Sequence, residues 1–287
     1  QKCDLSTKKI IINIPHSELE FNKNFGLVRQ RNADGIFTKS DQQEAIKRSK
    51  NILKPTEQKV MHTIPLYYTV DQHMTVNPVG LKGENLEVQT HMILVKNKAL
   101  MTLVKIIRTL NFHIQGIVYD GLGLGDITLT EQERMQGGII FDIGGQFSKV
   151  HIFKHNALYH TAVVPYGSET ITADIAHCLS TTVPEAERLK VAFGQVTLKQ
   201  IDPTKDIDIV SITEGNKKIK QRFLCQIIEA RISEILTLLL KQIPFELNST
   251  YQSVLVGGAS QLTGLDTVIE RRLNGPIRKA SYHNHSL

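Results

Sequence analysis

The sequence predicts an α/β protein in two domains, on three observations. Its 287 residues exceed what one hydrophobic core usually holds together. Up to about Val95 one helical pattern stands among several strand patterns, as in a small α+β unit. From Gly138 onward short apolar strands alternate with long helical stretches, as in an α/β domain, and Gly138 is the best boundary.

The elements follow in order. KKIIINI has strand composition, and the polar segment Ser17 to Gly35 reads as loops around a short edge, with Gly26 and the Asp34-Gly35 pair as turns. TKSDQQEAIKRSKNIL predicts a helix capped by Thr38 or Ser40, with Ala45, Ile46, Ile52 and Leu53 on related faces and Pro55 closing it. KVMHTIPLYYTVD and NLEVQTHMILV are strands separated by the turn-like NPVGLKG. NKALMTLVKIIRTLNF carries Leu100, Leu103, Val104, Ile107 and Leu110 at helical spacing, which predicts a core-facing stripe, and HIQGIVYDG returns as strand and turn. GGIIFDIGG, SKVHIFKHN and ALYHTAVVP then form a meander. Helices are predicted at ITADIAHCLS, PEAERLKVAF and about Gln221 to Leu240, with a polar stretch from Asp202 to Lys218 and a buried strand in YQSVLVGG.

Composition excludes several classes. The net charge of +6 is spread along the chain, and no aromatic stripe alternates with it, so nucleic acid is not an expected partner. Cys3, Cys178 and Cys225 are odd in number and far apart, which fits a reducing compartment rather than a disulfide framework or zinc knuckle. No apolar run is long enough to span a bilayer. The opening QKCDLSTKKIIINIP leads into a strand rather than a secretory leader, and its lack of Met marks an expected fragment.

Three places carry candidate chemistry. In FDIGG, Gly144 and Gly145 let backbone N–H groups approach phosphate oxygens, while Asp142 at the strand end is placed to hold magnesium through water; a plain hairpin turn has the same composition. In SVLVGGASQLTGL, a strand meets Gly257 and Gly258 before a helix-like segment, which suits close approach of a ligand but equally suits strand–helix packing. Glu187 and Lys190 lie three apart on one helical face, either bracketing a ribose and base or forming an ordinary surface ion pair. The histidines lack ligand spacing, including the pair His283 and His285 in the polar tail.

Together these motifs resemble the FtsA family of bacterial cell-division proteins, within the actin and sugar-kinase-like ATPases. NFGLV, the D-x-x-x-A pattern from Asp41 to Ala45, and MHTIPLYYTVDQHMTVNPVGLKGENLEVQTHMI resemble that family's own subdomain, 1C. LTEQERMQGGIIFDIGGQFSKVHIF, VPYGSETITADIAHCLSTTVPEAERLKVAFG and VLVGGASQLTGL follow in family order. The resemblance implies an actin-like (ribonuclease H-like) two-domain fold: residues 1–95 as a 1C-like α+β subdomain, 96–137 as a remnant of domain 1A and a connection, and 138–287 as domain 2, with 2B at about 184–243.

By the same resemblance, Asp142, Gly144, Gly145 and Ser148 belong to the second phosphate loop, with Asp142 facing Mg2+. Glu187 and Lys190 belong to the adenosine-contacting helix, and Gly257, Gly258 and Ala259 to the adenosine loop. The family binds ATP with magnesium, self-associates into dimers or filaments, binds the C-terminal peptide of FtsZ through 2B, meets other division proteins, and holds the division ring at the cytoplasmic face of the inner membrane. Four departures are expected to matter. The first phosphate loop is not found in this sequence. Gln146, Phe147, Ser148 and Lys149 stand where glycine, two threonines and an acidic residue are usual, and Tyr119 to Glu133, with Gly121, Gly123 and Gly125, reads as a loose polar link. The family's amphipathic membrane helix is not found either, so no direct membrane contact is expected of this chain. The reading is therefore an actin-like division adaptor with weakened nucleotide chemistry, whose alternatives are an active Mg-ATP-hydrolysing FtsA and an adaptor of a pilus or secretion machine.

Overall fold

A computed structural model describes residues 8–14, 16–50, 57–199, 201–243 and 250–281. Cys3, Ile52, Leu53, Pro55, His283 and His285, named above, lie outside them. The chain divides into two compact units: residues 1–127 with 153–159, and residues 128–152 with 160–287.

In the first unit β1 (Lys9–Asn13) pairs in parallel not with its neighbours in sequence but with β6 (His113–Val118). Between them lie β2 (Leu19–Arg29), α1 (Lys39–Ser49), β3 (Gln58–Val70), β4 (His73–Thr75), β5 (Asn85–Lys96) and α2 (Asn97–Thr109). The strands form an antiparallel sheet of order β2-β5-β3-β4. Along β5, Leu86, Val88 and Thr90 are buried while Glu87 faces outward, the period-two pattern of a sheet with one covered face. Pro65 sits at a register shift in β3, in the stretch that β4 does not reach, an edge position at which a sheet tolerates proline.

The segment read as loops from Ser17 to Gly35 is instead mostly β2, and Gly26 is no turn. A Cβ there would lie 2.0 Å from the carbonyl oxygen of Ala45 and 2.8 Å from the nitrogen of Ser49, so glycine lets α1 press onto the strand. Thr38 caps α1 in a capping box with Asp41. In α2 the expected stripe is only partly realised: Leu100 is buried and Leu103 and Val104 pack beside it, whereas Met101, Ile106 and Leu110 are exposed.

The loose link expected from Tyr119 is also ordered, as α3 (Asp120–Thr128). At Gly125 a Cβ would strike the Phe153 ring at 2.2 Å, so this glycine serves close helix packing rather than slack.

The second unit holds α4 (Glu131–Gln136), β7 (Gly138–Ile143), β8 (Ser148–Lys154), β9 (Ala157–Val164), α5 (Ser168–Cys178), α6 (Val183–Phe193), β10 (Asp206–Ser211), β11 (Gly215–Lys220), α7 (Gln221–Lys241), β12 (Gln252–Val256), α8 (Leu265–Leu273) and β13 (Ile277–Lys279). Its sheet has order β13-β12-β7-β8-β9, and β12 runs parallel to both neighbours. The tip of the β8–β9 hairpin, residues 153–159, belongs to the first unit, and His155 and Asn156, both at positive φ, make its two-residue turn.

Leu224, Ile228, Ile232, Ile235 and Leu239 recur every three or four residues along α7 and fill the core against Ile139, Phe141 and Ile143 of β7. Arg231 ties α7 to α5 through Asp174, with Nε to Oδ2 at 2.5 Å and an Nη to Oδ1 at 2.9 Å. The polar stretch from Asp202 is a hairpin, β10–β11, because Ile207 and Ile209 alternate with Asp206 and Asp208 and bury on one face. Among the described residues no helix is long and apolar enough to cross a membrane.

Candidate functional site

α6 starts at an N-cap, Thr182, whose hydroxyl accepts from the Glu185 N–H, and at Pro184, which fits the first helical turn. Ala186, Leu189 and Lys190 share the inward face, so the helix carries an ammonium group into the protein. The Lys190 side chain is 7% exposed while that of Glu187 is 50% exposed, and Lys190 Nζ lies 2.7 Å from Glu187 Oε2. Lys190 also donates to the Thr172 hydroxyl at 2.8 Å and to the Ser168 carbonyl at 3.1 Å, and Thr172 donates to Glu187 at 2.5 Å. Burial pushes the Glu187 carboxyl up, but the bonds from Lys190 and Thr172 outweigh it and hold the group below its ordinary range.

This cluster forms one wall of a cavity of about 430 Å3, within the range of small-ligand sites. Gly258, Ala259, Gln261, Leu262 and Thr263 also line it, as do Lys205 and Gln221. Gln221 is fixed by donating its side-chain amide to the Phe193 carbonyl at 2.9 Å. A Cβ on Gly258 would meet nothing within 4 Å, so the cavity reaches the backbone there. Gly257, at φ +86°, does the opposite: a Cβ would lie 2.4 Å from the Ile143 carbonyl oxygen and 2.7 Å from Asp142 Oδ1. It joins the cavity wall to the end of β7.

The turn after β7 rests on the start of α5. Ser168 N donates to the Gly144 carbonyl at 2.8 Å and Glu169 N to the Gly145 carbonyl at 2.9 Å. Gly167 makes that approach possible, since a Cβ there would lie 2.3 Å from one of those oxygens and 2.5 Å from the other. At Gly145 a Cβ would sit 2.8 Å from Glu169 Oε1, so a carboxylate flanks the turn. Asp142 is paired with Lys149, Nζ to Oδ2 at 3.1 Å, with both side chains mostly buried.

The structure thus brings Glu187, Lys190, Gly258 and Ala259 to one cavity and sets Asp142, Gly144 and Gly145 in a turn that Gly257 connects to it. Ser148 is not on the open side of that turn: it is fully buried, and its hydroxyl has no hydrogen-bond partner. Ser168, Thr172, Lys205 and Gln221 were not read from the sequence as site residues. Ser168 and Thr172 stand four apart at a helix start, a signal that was available; Lys205 and Gln221 depend on the hairpin between them, where Gln221 N donates to the Lys205 carbonyl at 2.9 Å. Among the described residues no group of three or more His, Cys, Asp or Glu is placed to hold a metal ion.

Comparison with known proteins bears on the family and the fold. Residues 139–286 match the family model for cell division protein FtsA, and residues 18–94 match that for the SHS2 domain inserted in FtsA. The chain is 28% identical over 254 residues to cell division protein FtsA of Escherichia coli K12, covering 84% of this chain and 60% of that protein. It is 26% identical over 298 residues to the FtsA of Buchnera aphidicola from Acyrthosiphon pisum, covering 99% and 70%. It therefore spans about three fifths of the length of the Escherichia coli relative.

Among solved structures it is similar in fold to a PilM-PilN type IV pilus biogenesis complex, with a TM-score of 0.65 at 14% identity over 96% of this chain and 70% of the other. It is likewise similar to MreB5 of Spiroplasma citri bound to AMPPNP, with a TM-score of 0.56 at 18% identity over 65% of this chain and 60% of the other. The fold is actin-like, with an inserted FtsA-type subdomain. Since the FtsA model alone matches more than half of its residues, the chain belongs to the FtsA cell-division family.

Proposed function

We propose that this chain is an actin-like cell-division adaptor that binds the FtsZ C-terminal peptide, self-associates, and helps link the division ring to the membrane, with nucleotide chemistry weaker than an ATPase needs. The observation that carries the reading is the contrast between the two ends of the candidate site. The cavity between α6 and residues 258–263 has the size and polar anchors for a nucleoside. The turn after β7, by contrast, gives its carbonyls to α5, its aspartate to Lys149, and lies beside the Glu169 carboxylate. Phosphoryl transfer needs charge stabilisation and positioning around the phosphates, and this turn supplies neither in the usual form. The family's ATP and Mg2+ thus divide on chemistry: the cavity suits the nucleoside, and the turn does not suit the metal.

The partner assignment rests on family membership. Its test is fluorescence anisotropy with a labelled FtsZ C-terminal peptide titrated with the folded chain. Micromolar binding, weakened by charge reversal at the exposed Lys218 and Arg222 in the segment proposed as 2B, supports the adaptor reading, and no binding to the peptide overturns it. Sedimentation over a range of concentrations tests self-association. Steady-state ATP turnover at the level of ordinary ATPases would overturn the weakened chemistry.

A further inference from the structure

We infer that the ammonium of Lys149 takes the position a divalent cation would hold at Asp142, so that nucleotide enters this site without magnesium. The inference deepens the proposed nucleotide reading and rests on it for the ligand, though not for the metal.

Three observations carry it. Asp142 stands at the end of β7, where its carboxylate could hold a hydrated cation, but Lys149 Nζ is already 3.1 Å from its Oδ2. Lys149 is not a surface side chain that swings away: it is 8% exposed on β8, the strand after the turn, so its charge is built into the sheet. The other carboxylate oxygen, Oδ1, lies beside Gly257, 2.7 Å from where a Cβ on that residue would stand. One oxygen meets an ammonium and the other lies beside the glycine turn after β12. A divalent cation would have to displace a buried ammonium from its carboxylate, which is expensive in a partly buried site.

Lys149 is spent on Asp142, and the Glu169 carboxylate stands against Gly145. Polyphosphate therefore gains little there, and nucleotide affinity comes chiefly from the nucleoside cavity.

The experiment has two arms on the full chain. In the first, a fluorescent ADP analogue is titrated with millimolar magnesium and again with EDTA. The expected result is the same affinity within about twofold; a gain of roughly tenfold with magnesium overturns the inference. In the second, Mn2+ alone is titrated and followed by electron paramagnetic resonance. Wild type is expected to show no bound Mn2+ that Asp142→Asn abolishes, and Mn2+ held by wild type but lost from Asp142→Asn overturns the inference. Lys149→Met keeps the length of the side chain without its charge, and it is expected to acquire Mn2+ binding and a melting temperature raised by magnesium, neither seen in wild type. If the ADP analogue fails to bind in both buffers, the nucleotide reading falls, while the Mn2+ comparison of wild type with Asp142→Asn still decides the metal inference even should Lys149→Met not fold.

Discussion

Two adjacent glycines, Gly257 and Gly258, are expected to respond very differently to one methyl group. Gly257 has φ +86° and ψ 168°, a region that side chains cost about 1–3 kcal/mol to occupy. Its Cβ would also press to 2.4 Å on the Ile143 carbonyl, a backbone atom that cannot rotate away, which adds overpacking of about 1–3 kcal/mol. Gly257→Ala is therefore expected to cost about 4 kcal/mol, a large share of ordinary domain stability. That corresponds to a fall in melting temperature on the order of 10 °C. Gly258→Ala meets nothing within 4 Å and should stay within about 0.5 kcal/mol of wild type, while its methyl projects into the cavity. Urea denaturation followed by circular dichroism measures both. Equal effects, or a cost below about 1 kcal/mol for Gly257→Ala, would refute the close seating of residue 257 on the end of β7.

Gly26→Ala should displace α1 from β2 and cost about 1–3 kcal/mol; an unchanged urea midpoint would contradict the close approach seen there. Lys190→Met deprives Glu187, Thr172 and the Ser168 carbonyl of a donor and should cost about 2 kcal/mol, limited because half-exposed Glu187 can turn to water. The lowered Glu187 pKa makes this contribution pH-dependent: it is present above the ordinary value of 4.5 and is lost as pH falls through the folded value, so the difference between wild type and Lys190→Met should shrink on acidification. A difference that is constant from neutral to acid pH would show that the carboxylate takes no part. For the clamp between α5 and α7, a double-mutant cycle on Asp174→Ala and Arg231→Ala should give a coupling of about 1 kcal/mol, checked by denaturation of all four proteins.

Periodic patterns were legible in the sequence where burial follows one face. α7, β5 and the β7–β9 meander show their apolar spacing openly, and the ordered family motifs carry the fold. Glycine was harder to read. Gly26 looked like a turn and Gly121 to Gly125 like slack, yet at Gly26 and Gly125 the missing Cβ makes room for a neighbouring backbone or side chain. One residue type permits turns and close contacts alike, and only three-dimensional neighbours separate them. The hairpin at β10–β11 was hidden because its two buried isoleucines are outnumbered by charges. At the site, the Glu187–Lys190 spacing was plain, but the burial of Lys190 becomes evident only from Ala186 one turn earlier on the same face. Asp142 and Lys149 are seven residues apart on different strands, so their pairing follows from the sheet rather than from any local motif.

An ammonium group has three protons to give, and those of Lys190 meet a carboxylate, a hydroxyl and a carbonyl drawn from two helices. All three are engaged within the protein itself. The lysine so held sets the wall of the cavity in advance, so a molecule entering beside it does not have to order that wall by its own binding energy. Affinity there should depend on fit to a surface that is already rigid, and shape should discriminate between guests more sharply than charge does.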